Sequence, residues 1–130
     1  MLEMNYGNKR QVNLTYETAV EKTRGALKKE GFGIITEIDV KAVVKNKLNI
    51  DFDNYIILGA CNPTFAHKAL ELEKDLGLLM PCNVVVYEDK GKTFVVSTRP
   101  TITMDVVGNP QLAPVAAQVE EKLKKAIEGV

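Results

Sequence analysis

The hydrophobic positions of this chain fall into two rhythms that alternate along its length. Arg10-Gln-Val-Asn-Leu14 alternates polar and apolar side chains, the two-residue period of a half-buried strand. Tyr16, Ala19, Val20, Thr23 and Leu27 then recur at helical spacing, with Glu17, Glu21, Lys22, Lys28 and Lys29 outside the stripe. Thr15 is placed to cap that helix by accepting from N–H groups of its first turn, and Gly31 supplies the left-handed residue that ends it. Phe32 to Asp39 reads as a second strand. Val40, Val43, Val44 and Leu48 return to helical spacing beside Lys41, Lys45 and Lys47, with Asp39 as the cap. Tyr55 to Cys61 is apolar enough to be a strand buried on both faces.

Asn62-Pro63 opens the next helix in the expected order, asparagine at the cap and proline in the first helical position. Phe65, Ala66, Ala69, Leu70 and Leu72 form its apolar side, and Gly77 breaks it. Asn83 to Tyr87 and Thr93 to Thr98 are strands joined by the hairpin loop Glu88-Asp-Lys-Gly-Lys92. Thr101 to Val107 fits either an extension of the last strand or a crossing segment. A final helix starts near Pro110 or Pro114 and turns Leu112, Val115, Ala116, Val119, Leu123 and Ile127 inward. The intervening helices are too short for parallel crossovers and the last two strands form a hairpin. The pattern therefore predicts an α+β fold over residues 1–130 as a single domain: an antiparallel sheet of about five strands with helices packed on one face.

Three segments, Gly31-Phe-Gly-Ile-Ile-Thr-Glu-Ile-Asp-Val40, Leu58-Gly-Ala-Cys-Asn-Pro63 and Gly77-Leu-Leu-Met-Pro-Cys-Asn-Val-Val-Val86, resemble domain-of-unknown-function family 302. The resemblance runs from about the first strand to the last helix. It implies a compact α+β fold of the TATA-binding-protein-like or helix-grip type, commonly a homodimer, and it assigns no catalytic residues.

Charge narrows the field of partners. Seventeen acidic residues balance seventeen basic ones, so no global field draws the chain to nucleic acid or to an anionic membrane. Aromatic residues are not interleaved with basic ones, as single-strand binders require. The first ten residues lack the apolar core of a signal peptide, and no stretch is long enough to span a bilayer. The expected location is cytoplasmic, where Cys61 and Cys82 would be thiols.

Those two cysteines carry the candidate chemistry. Each sits at the end of an apolar run, and antiparallel pairing with the sulfurs opposed would set Gly59 against Val84 and Ile57 against Val86. Continuing through the hairpin brings Arg99 near Cys82. Cys61, Cys82, Asn62 and Arg99 would then gather beside the helix that begins at Pro63. A helix N-terminus and a guanidinium both favour a thiolate, and bare N–H groups after Asn62 could receive an anion. Against this stands the habit of free cysteine to pack as a small hydrophobe.

Glu37 is a second candidate. Facing inward from its apolar strand it would need a partner or a raised pKa and could anchor a ligand; facing outward it is simply solvated. His67 shares a polar row with Thr64, Glu71 and Lys74 and is expected to face water, which removes a Cys-His nucleophile pair. Two thiols supply half of a zinc shell, so no metal, cofactor or catalytic residue is assigned. Three readings remain. The favoured one is a homodimeric small-ligand-binding or regulatory module with a pocket near the Cys61/Cys82 end of the sheet. The others are a thiol-dependent redox protein or enzyme using both cysteines, and a structural dimerisation unit without ligand.

Overall fold

Strand residues with buried neighbours on both sides decide this architecture. The structure, a computed structural model, describes residues 2–130. Six strands form one antiparallel sheet: β1 Leu2–Glu3, β2 Gly7–Val12, β3 Gly33–Asp39, β4 Tyr55–Cys61, β5 Cys82–Asp89 and β6 Lys92–Thr98. Their spatial order is β1-β2-β6-β5-β4-β3, so the apolar β4 and β5 lie inside and β3 forms one edge. Leu58, Val84, Val86 and Val95 on the three central strands are fully buried. The two-residue β1 is too short to leave a periodic trace in sequence.

Helices α1 (Tyr16–Lys29) and α5 (Ala113–Glu128) lie on one face of this sheet, and α3 (Pro63–Leu72) packs against α5. Every inward residue expected on the last helix is buried, from Leu112 and Val115 to Leu123 and Ile127. Local capping explains where the helices begin. Thr15 Oγ1 accepts from the Thr18 N–H at 3.2 Å, and Asp39 Oδ1 accepts from the Ala42 N–H at 3.0 Å to start α2 (Val40–Leu48). Gly31, at φ 86°, turns the chain out of α1.

Three expectations are corrected. The first long strand runs Gly7–Val12 rather than Arg10–Leu14, because Asn13 and Leu14 are taken up by the turn into the α1 cap. Helix α3 stops at Leu72, and Gly77 falls inside a separate 3-10 turn, Lys74–Leu79. The segment after β6 is not an extension of that strand. Pro100 has no N–H to offer a ladder and its fixed φ suits a helix start, so α4 (Pro100–Thr103) begins there.

One side chain ties the ends of the fold together. Arg10 on β2 donates from Nη1 to the carbonyls of Ile127, Glu128 and Val130 at 3.1, 2.9 and 2.7 Å. These oxygens cluster at the C-terminal end of α5, where the dipole is negative, and the Ile127 carbonyl also accepts from the Val130 N–H at 3.3 Å. Replacing Arg10 with methionine keeps the apolar stem and removes the charge-assisted bonds. Urea denaturation should then show a loss of about 1.5–3 kcal/mol; an unchanged midpoint would show the clamp to be cosmetic.

Candidate functional site

The pairing of β4 with β5 places Ala60, not Cys61, opposite Cys82, and Leu58 opposite Val84. The register is one residue away from the expected one, which would have set Gly59 against Val84. Directly opposed residues share a face. Cys82 therefore lies with the buried Ala60, Leu58 and Val84 on the helix-covered side, while Cys61 has the opposite parity and pairs across to Gly33. Both thiols are free, and at the strand end both still line one cleft, with Phe32, Phe65, Met80 and Met104. Its volume is about 30 Å³, room for water-sized guests.

At Cys82 the electrostatics run against the thiolate reading. Burial, with a smaller contribution from the neighbouring Cys61, pushes the Cys82 thiol up to about 11. Arg99 does lie where the hairpin carries it, next after β6 and facing the helices, but its guanidinium is engaged elsewhere. It donates to Glu120 Oε2 at 3.4 Å and to the Met4 carbonyl at 3.0 Å. Glu120 in turn accepts from the Thr101 N–H and hydroxyl at 3.0 and 2.6 Å, which fixes the start of α4. Asn62 precedes α3 as expected, with Pro63 in the first turn, yet its side chain makes no cap bond. Its amide donates instead to the Glu30 carbonyl at 3.4 Å, joining the end of α1 to the end of β4.

Glu37 sits opposite Leu58, which puts it on the helix side of the edge strand. There it is held by Arg24 of α1, whose hydrogen bond keeps the carboxyl below its ordinary pKa. It is an ionised, half-exposed partner, not a proton donor. His67 faces solvent and pairs with Glu71 at 2.9 Å. Among the described residues, no three histidine, cysteine, aspartate or glutamate side chains are placed to hold a metal ion, and no helix is long and apolar enough to cross a membrane. Gly59 marks a close approach: a Cβ there would overlap Thr36 Oγ1 and come within 2.7 Å of Pro81 Cγ. The irregularity in the β3 pairing falls beside it, between Ile34 and Thr36.

Two surface features carry no chemical motif in the sequence. The first is an uncovered apolar surface on β3, α2 and the loop that follows. The second is a row of rings across the face opposite the helices, where Tyr55, Tyr87 and Phe94 stand in register with Phe52 at one end. Lys9 lies over the Phe94 ring, 4.5 Å from its centroid. The helical period that betrays the first feature was visible in sequence as a core stripe. The second arises from cross-strand register, which sequence spacing does not contain.

The thiol environment has a measurable signature. In Cys61→Ser, which removes the smaller of the two causes, alkylation of Cys82 by iodoacetamide should rise with pH toward a midpoint above that of a free thiol and no higher than about 11. At neutral pH it should run slower than at an unperturbed thiol, by up to roughly a hundredfold, following the smaller thiolate fraction. The folded thiol holds its proton more tightly than the unfolded one. Its stabilisation is thus full below about pH 9 and fades as pH climbs toward 11. A midpoint at or below that of free cysteine would contradict the buried placement.

The geometry can be set beside known proteins. The model of the family described as Domain of unknown function DUF302 matches residues 8–130. The crystal structure of an uncharacterized conserved protein DUF302 from Bacillus stearothermophilus superposes with a TM-score of 0.88 at 28% identity, over 94% of this chain and 95% of that one. No curated protein matches the chain. With its sheet, its helices and nearly its whole length accounted for by that match, the chain belongs to the DUF302 family.

Proposed function

We propose that this protein is a binding module that works as a homodimer, joined through β3, α2 and the loop up to Phe52. The observation that carries the reading is that α2 buries none of its nine residues. A helix this short is marginal in water unless an apolar face is covered. The neighbouring edge strand and loop add to this: Ile35, Ile38, Val43, Leu48, Ile50 and Phe52 are each 44–64% exposed. Together they leave on the order of 500 Å² of apolar surface, near the top of the ~300–600 Å² patch that a monomer tolerates.

A second copy of the chain is the occupant that fits. The surface carries Lys41, Lys45 and Lys47 beside Asp39, Asp51 and Asp53, so it has no net sign to select a strongly charged partner. A patch of balanced charge around an apolar centre is complementary to itself across a two-fold axis. With the polar residues between the apolar ones, its size approaches the ~800 Å² per partner of a stable interface. A thiol reaction is the weaker reading. Cys82 holds its proton at neutral pH, and the cleft it shares with Cys61 has no room for a substrate.

Sedimentation or light scattering at micromolar concentration should give twice the 14.4 kDa chain mass. Val43→Glu with Leu48→Glu should yield a folded monomer, since each charge forfeits about 1.5–3 kcal/mol of apolar burial. A wild type that stays monomeric across that range, or a double variant that still pairs, would remove the proposal.

A further inference from the structure

Met104 belongs to two cavities at once. One is the cleft of about 30 Å³ beneath Cys61 and Cys82. The other, of about 280 Å³, lies between α4 and the start of α5. Among the described residues Met104 is the one side chain on both linings, so it forms the wall they share. It is 6% exposed, held in place by packing alone. An unbranched thioether with three rotatable bonds can shift while the backbone stays still.

We propose that the larger cavity is a binding site for a small apolar molecule with a cationic or hydrogen-bond-donating end, and that Met104 is its movable inner wall. Size supports a guest of one ring and a short chain. An apolar cavity of ~150 Å³ accepts benzene, and small-molecule sites begin near ~300 Å³. Displacing Met104 toward the inner cleft enlarges the space without opening the core to water.

The lining sets the chemistry. Pro100, Met104, Pro110, Leu112, Ala113 and Ala116 present apolar surface. Two of the polar residues are already committed within the fold. Thr101 gives its hydroxyl to Glu120, and Asn109 donates to the Leu72 carbonyl and Glu73 while accepting from the Gln111 N–H. Asp105 is the one charged residue of the lining and is exposed, so it sits at the rim and selects the sign of the guest. The cavity lies within one protomer and away from α2. Its occupancy is therefore independent of dimerisation, and the two ideas can fail separately.

Carbon-13 methyl NMR of the full chain, with Met104 assigned by Met104→Leu, reads the inner wall directly. Phenethylamine, benzyl alcohol and phenylacetate serve as cationic, neutral and anionic probes of one shape. The Met104 methyl should shift saturably with phenethylamine, less tightly with benzyl alcohol and least with phenylacetate. Asp105→Asn should weaken phenethylamine roughly two- to fivefold, the yield of an exposed charge pair, and leave benzyl alcohol unchanged. Ala113→Phe should fill the mouth and abolish binding of all three, with thermal unfolding confirming that the variant is folded. Three results would overturn the site: no saturable shift with phenethylamine up to about 10 mM, ten times a ~1 mM Kd; tighter binding of the anion; or undiminished binding in folded Ala113→Phe. Should Ala113→Phe not fold, the sign preference and its loss in Asp105→Asn decide the matter.

Discussion

The register that seats Ala60 against Cys82 fixes the sidedness of the whole sheet. Side chains alternate with a period of two, so a slip by one residue would exchange the faces of β4 relative to β5. Leu58, Val84, Val86 and Val95 would lose their common side, and with it the surface on which α1 and α5 rest. The same parity decides what each cysteine is. Cys82 becomes part of the floor beneath the helices, while Cys61 belongs to the turn into α3.

That constraint also explains why polar groups near the sheet end carry so little reactive potential. Each is already spent on holding elements together. Asn62 reaches the end of α1, Arg99 and Glu120 fasten α4, and Arg24 holds Glu37 at the edge of β3. The places with unspent capacity lie elsewhere, on the apolar β3–α2 surface and in the cavity behind α4. Both are places where apolar side chains of the described residues are left without full cover.

Much of the fold was legible because its signals are local. The caps at Thr15 and Asp39, the proline after Asn62 and the inward stripe of α5 depend on neighbours a few residues away, and each stands where the sequence places it. The parity of β4 was not legible, since a strand apolar on both sides offers no alternation from which to read a register. Pro100 was informative only once the end of β6 was known. The stripe on α2 shows a deeper limit. Val40, Val43, Val44 and Leu48 have the period of any core helix, and periodicity does not say whose core it enters.

The notch at Gly59 has a consequence for how this fold can change. Thr36 and Pro81, one from each neighbouring segment, come into the space that a side chain would fill. The notch works like the ward of a lock: sliding β4 by a residue would push Leu58 or Ala60 against it and jam. Loops in such a protein are free to lengthen or shorten, but the three segments meeting at that glycine must keep their alignment or part company together.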